Sequence, residues 1–164
     1  MNAFWAYFWP IFTLSFALGA IAGLLGFRRR RRNSVFVAAA VLSLAGAALW
    51  HGPLGAADRF AAGVERSAKA TLADWEMPQV RAHLHRNPLS RRLLLSGEAD
   101  DFQRDRLVEI MSQIPGVGRA TWDRSGGIPL IGEAAIVSAL GFLLGLLLAY
   151  LVELRRRYNA QWEW

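Results

Sequence analysis

Three stretches of this chain carry almost no charge, and each is long enough to cross a bilayer. Ala3 to Phe27 has no charged side chain, Ser34 to Trp50 has none, and Pro129 to Val152 is interrupted only by Glu133. A hydrocarbon core about 30 Å thick takes roughly 20 helical residues at 1.5 Å per residue. A soluble domain rarely accommodates three such segments, so the chain reads as a multi-pass membrane protein. Pro10 is expected in the first turn of the first span, where its missing N–H has no helical partner to lose. Trp5, Tyr7 and Trp9 are then expected just outside that span, in an aromatic belt. Composition agrees, with 54% of the 164 residues apolar and a positive mean hydropathy.

Between the first two stretches lies the run Arg28, Arg29, Arg30, Arg31 and Arg32. A cleaved signal peptide would have its basic cluster before the apolar stretch, and here the cluster follows it. Positive residues in short loops stay cytoplasmic, which fixes a hairpin with a cytoplasmic loop at 28–33 and an N-terminus outside. Alternation then places 52–128 outside and the tail inside, where Arg155, Arg156 and Arg157 form a second cluster. Residues 51–128 hold eleven basic and ten acidic side chains, so the net charge of +6 belongs to the two cytoplasmic pieces. A calculated pI of 10.9 would by itself permit a nucleic-acid binder. The placement of the arginines argues instead for a topology signal and contact with anionic membrane lipids, and no nucleic-acid partner is expected. The expected location is a bacterial inner membrane. The domains are expected at 1–51 (a hairpin with spans at about 4–27 and 34–50), 52–128 (a periplasmic module) and 129–164 (a third span and tail).

The outer segment has a legible order of elements. Phe60, Val64, Ala68, Leu72 and Trp75 recur every three or four residues, which marks one face of a helix over 56–75. Val80, Ala82 and Leu84 alternate with polar residues as in a strand, and Asn87-Pro88 marks a turn. A second strand runs to Gly97. A second helix follows, capped by Asp100 or Asp101, with Leu107, Ile110, Met111 and Ile114 on its buried stripe. Pro115 and Gly116 stop that helix, and a short strand comes after them. The fold class is therefore three transmembrane helices plus a small α+β domain of order αββαβ.

The stretch RRLLLSGEADDFQRDRLVEIMSQIPGVGRATW, residues 91–122, resembles the second half of a BON domain, a small module of bacterial envelope proteins. The family's leucine-x-glycine strand end and its proline-glycine-valine turn fall here on Leu95, Gly97, Pro115, Gly116 and Val117. The resemblance covers roughly 56–124. This chain departs from the family pattern at Leu93 to Leu95 and at Ala120 to Trp122. The resemblance implies a non-catalytic module that attaches to phospholipid or to an envelope partner.

Candidate chemistry is sparse. With no cysteine, disulfides and thiolate chemistry are excluded. His83 and His85 share a strand face but lack an evident third ligand, so no metal site is expected. Glu133 is the one acid within a predicted span, and its place in the first helical turn favours an interfacial position over proton relay. Asp100 and Asp101 are accounted for as helix-capping residues. No catalytic motif and no cofactor site is recognised. Gly19 and Gly23 form a GxxxG, as do Gly141 and Gly145, and Ala39, Ser43 and Ala47 make a similar stripe. These faces predict close helix packing, either within the chain or with another protein. A strand with period two buries Leu93 and Leu95 and turns Leu94 outward, where Leu94 and Trp122 would form a docking patch. The expected function is a non-enzymatic envelope or scaffold protein docking a partner protein or a phospholipid surface. The alternative is an accessory or assembly subunit of a larger membrane complex, respiratory or photosynthetic for example, held by its spans. A weaker third class is a proton-conducting or enzymatic role for Glu133.

Overall fold

A computed structural model describes residues 2–27, 32–122 and 128–160. The elements run α1 (Ala3–Gly26), α2 (Arg32–His51), α3 (Ala56–Asp74), β1 (Arg81–Arg86), β2 (Leu89–Ser96), α4 (Asp101–Ser112), β3 (Arg119–Thr121) and α5 (Leu130–Ala160). Three of these helices, α1, α2 from Asn33, and α5, are long and apolar enough to cross a membrane. The chain divides into two compact units, Phe8–Pro53 with Ala134–Trp164, and Met1–Tyr7 with Leu54–Glu133.

The helical unit is built on small residues. A Cβ placed on Gly19 would meet the Phe142 carbonyl oxygen, and one on Gly145 would meet that of Phe16. At Gly141 the nearest atom would be the Phe12 carbonyl oxygen at 2.8 Å, and at Gly23 it would be the Ala149 methyl. The two GxxxG faces therefore close on each other, α1 against α5. Without a hydrophobic force between helices in lipid, such close approach is what gains dispersion energy. One serine from each span completes the contact. The Ser138 hydroxyl lies 2.9 Å from that of Ser15 and 2.8 Å from that of Ser43, and all three residues are buried. Leucines and valines such as Leu24, Val41, Leu42 and Leu144 remain exposed, as a lipid-facing surface requires.

Three expectations about the spans need correction. Helix α1 begins at Ala3, and Pro10 lies inside it. The start is set by Asn2, whose side-chain oxygen accepts from the Trp5 N–H at 3.1 Å. Tyr7 is not a belt residue, because it is buried with its ring 5.4 Å from that of Phe60. Trp5 and Trp9 are exposed. Helix α5 also continues past Val152 to Ala160, and a Glu153–Arg157 ion pair at 3.1 Å spans one turn of that extension.

The second unit carries the sheet, ordered β1-β2-β3, with β1 antiparallel and β3 parallel to the central β2. Its core is the buried face of α3 (Phe60, Val64, Ala68, Leu72), the α4 residues Leu107 and Met111, and Leu84, Leu93, Leu95 and Ala120 of the sheet. Ile110 is only half-buried, and Trp75 leaves the predicted stripe because it caps α3 and is exposed. Asp100 caps α4 in a reciprocal box: it accepts from the Gln103 N–H at 2.7 Å, and its own N–H donates to the Gln103 side chain at 3.2 Å. The two turn glycines are required by geometry. Gly97 has φ 133° and Gly116 has φ 106°, and a Cβ on Gly116 would come within 2.7 Å of Val64.

Candidate functional site

A concavity of this second unit lies between α3 and β1. It is an open cleft of about 1030 Å³ with Leu72, Met77, Val80 and Ala82 among its apolar lining. Arg66, Lys69 and Arg81 line it as well, with Glu65 and Glu76 as its acids. Helical spacing on α3 explains the arrangement. Leu72 points to the core, while Arg66 and Lys69, three residues apart, stand on the exposed side of the same helix.

Glu65 organises one end of the cleft. One of its carboxylate oxygens accepts from the Leu84 N–H at 3.1 Å, and the other pairs with Arg86 at 2.9 Å. The Leu84 N–H therefore points away from β2, to the outer edge of β1. In an antiparallel ladder this outward sense repeats every second residue. Ala82, opposite Leu95 in register and before the irregularity between Leu84 and Arg86, thus turns its N–H and C=O outward as well. The cleft is bordered by a strand edge whose next outward backbone groups face it.

A second cluster centres on Arg91 of β2. Its guanidinium donates to the Gly116 carbonyl at 3.1 Å, pairs with Glu133 at 3.0 Å, and lies 5.0 Å from the centre of the Phe4 ring. Arg91 and Glu133 are each about a quarter exposed. The first turn of α1 and the first turn of α5 are thereby fastened to the sheet. An ion pair with this neighbourhood accounts for Glu133 without a proton-relay role.

The remaining predicted site residues fall as follows. Leu94 does not face solvent; it is 9% exposed. It sits on the central strand, paired with His83 of β1 and Thr121 of β3. Trp122 does not join it. Ala120 pairs with Leu93, which puts Ala120 and its next-but-one neighbour Trp122 on the face opposite Leu94. The indole N–H of Trp122 donates to the Arg104 carbonyl at 3.2 Å, and the Arg104 guanidinium lies 5.4 Å from the indole. Leu94 and Trp122 thus make separate contacts, Leu94 within the sheet and Trp122 against α4. His85 is held in the hairpin turn, 3.0 Å from the Pro88 carbonyl oxygen. Among the described residues no group of three or more His, Asp or Glu is gathered to hold a metal. Arg155, Arg156 and Arg157 are exposed on the last turns of α5. Arg28 to Arg31 lie outside the described residues, and Arg32 opens α2.

Sequence reasoning missed the α3–β1 cleft and the serine cluster. A serine in an apolar run looks neutral, and nothing local marks Glu65 as the residue that meets a strand edge.

No family model, curated protein or solved structure matches the chain. The fold and sites by themselves define a class: a multi-pass membrane protein carrying a compact α+β module with an open, interaction-capable cleft.

Proposed function

We propose that this chain is a non-enzymatic docking protein of a bacterial inner membrane. In this reading the N-terminus and the BON-like module are periplasmic, the arginine-rich tail is cytoplasmic, and the module recruits a protein partner. The observation that carries the reading is the cleft between α3 and β1, where apolar floor, cationic rim and outward backbone groups come together. Such a combination suits recognition of another chain. The alternative reading, a subunit held by its spans, loses the glycine faces as contact surfaces because α1 and α5 use them on each other. Helix α2, with 11% of its span buried against 33% for α1, is the surface left for that role.

The test is site-specific photo-crosslinking in cells from Ala73, which lines the cleft, with the exposed Phe102 on α4 as the control position. A discrete product from Ala73 and not from Phe102, identified as the same protein in a gentle-detergent purification, is the expected result. Equal labelling from both positions, or products only from α2, would remove the cleft from the function.

A further inference from the structure

We infer that the face of the sheet turned away from α3 and α4 binds an acidic segment of a protein partner. This surface is separate from the α3–β1 cleft, and it stands whether or not the cleft docks anything.

Residues 51–128 hold eleven basic and ten acidic side chains, yet the strands RAHLHR, LSRRLLLS and RAT carry five arginines and no acid. Two of those arginines are engaged by acids, Arg86 by Glu65 and Arg91 by Glu133. The other three are gathered by the pleat. Leu84, Leu93, Leu95 and Ala120 enter the core, so the residues alternating with them point the opposite way. These are Arg81 and His83 on β1, Arg92 and Leu94 on β2, and Arg119 and Thr121 on β3. The register agrees, with His83 opposite Leu94 and Arg92 opposite Arg119.

Arg81, His83 and Arg119 are exposed, and no hydrogen bond or ion pair to a described residue holds them. Arg92 is half-buried and has contacts of its own. Leu94 is 9% exposed, so this face offers a partner charge and little apolar area. Arg92 and Arg119 are direct cross-strand partners, an arrangement that like-charge repulsion disfavours. A carboxylate brought between them reverses the sign of that interaction, and the guanidinium fork matches a carboxylate at two points.

The spacing of the charges sets the size of the ligand. At about 3.3 Å per residue and about 4.8 Å per strand, Arg81 and Arg119 stand roughly 16 Å apart at the backbone. One small anion does not reach both, whereas several acids on one chain do. The face also carries no Phe, Tyr or Trp on which nucleic-acid bases could stack. A lipid surface is disfavoured too, because the strands present no exposed large apolar side chain to enter it. Moreover Phe4 and Glu133, in the turns that lead into spans, meet the sheet through Arg91, which alternates with Arg92 and so belongs to the other face.

The experiment uses the full-length protein in nanodiscs of neutral lipid and a fluorescent Glu-Ser alternating dodecapeptide read by anisotropy. This peptide should bind at least tenfold more tightly than its Lys-Ser counterpart. Arg119→Glu should weaken binding at least tenfold, and Arg81→Glu or Arg119→Gln at least threefold. Arg66→Glu, an equal change of charge on the exposed side of α3, should alter it less than twofold. Arg119→Glu sets opposite charges across the strand pair, so that variant should unfold at the same temperature as the parent or higher, which separates lost binding from lost fold. Equal losses from Arg66→Glu and Arg119→Glu would show attraction to net charge alone and overturn the inference. Sensitivity to Arg66→Glu without Arg119→Glu would move the acidic segment to the cleft, and no binding at millimolar concentration would remove the ligand class. If phosphatidylglycerol vesicles or a single-stranded oligonucleotide bind instead, and Arg119→Glu abolishes it, the face belongs to that ligand and the inference fails. Crosslinking from Ala73 decides the cleft reading independently of all these results.

Discussion

Alanine at Gly19 or Gly145 should destabilise the helical unit, although alanine is the better helix former. Replacing glycine by alanine in a helix interior gains about 1 kcal/mol from propensity alone. Gly132, in the first turn of α5, is the uncrowded comparison, since a Cβ there meets only the Ile128 Cγ2 at 4.0 Å; its own propensity gain is no larger than that of an interior position. At Gly19 the new methyl would overlap the Phe142 carbonyl oxygen, with the Phe142 carbon next at 2.9 Å. At Gly145 it would overlap the Phe16 carbonyl oxygen, with the Ala20 nitrogen at 2.7 Å. These are backbone atoms of a packed helix, so no side chain can turn aside. Helices α1 and α5 must separate by on the order of 1 Å, and a gap of that size forfeits a quarter to a half of the dispersion energy across the seam. Overpacking of this kind costs about 1–3 kcal/mol, so it meets or exceeds the propensity gain, and the Gly132 control separates the two terms. The double substitution should fall short of the sum of the two, because a seam opened by one methyl already has room for the other. The assay is unfolding of the detergent-solubilised protein by sodium dodecyl sulfate, followed by tryptophan fluorescence. If Gly19→Ala and Gly145→Ala track Gly132→Ala, or if their effects simply add, the reciprocal seam is refuted.

Ser138→Ala removes two interhelical hydrogen bonds at once, whereas Ser15→Ala removes one. At about 0.6 to 1.7 kcal/mol per bond within a membrane, the loss at Ser138 should be roughly twice that at Ser15 in the same titration, and equal losses would contradict a bridging role. Leu94→Glu puts a carboxylate at a site that is 9% exposed on the central strand. The cost, several kcal/mol, is comparable to the stability of a small domain. The module of the full-length variant should therefore become sensitive to limited proteolysis, and a protease-resistant variant would show that Leu94 is on the surface after all.

The contrast between Leu94 and the glycines shows where local pattern carries information and where it does not. Four-residue spacing places Gly19 with Gly23, and Gly141 with Gly145, on single helix faces whatever else the chain does. The seam was therefore legible as a surface, although the sequence left open that each surface is the other's partner. The αββαβ order was legible for a similar reason, since a change from period 3.6 to period 2, punctuated by Pro78, Asn87-Pro88, Gly97 and Pro115-Gly116, is written residue by residue. Leu94 fails because period two gives the side of the sheet but not the position of the strand within it. In a three-stranded sheet only the central strand has neighbours on both sides, and that follows from pairings between residues far apart, such as His83 with Leu94 and Thr121 with Leu94.

The division between units was hidden for a related reason. Uncharged residues at 3–9 look like the beginning of a span, yet Tyr7 is buried against Phe60 and the Phe4 ring meets the Arg91 guanidinium. At the other end, Leu130 and Glu133 open an apolar helix but are counted with the sheet, Glu133 through its ion pair. Hydropathy measures what a segment tolerates as surroundings, and an apolar first turn is as well suited to a protein core as to lipid. Which of the two surrounds it is decided by a cation eighty-odd residues away in sequence. The same holds for the candidate docking cleft. Arg66 and Lys69 could be read as exposed from their helix positions, but the outward sense of Ala82 follows only once Glu65 is seen holding the Leu84 N–H.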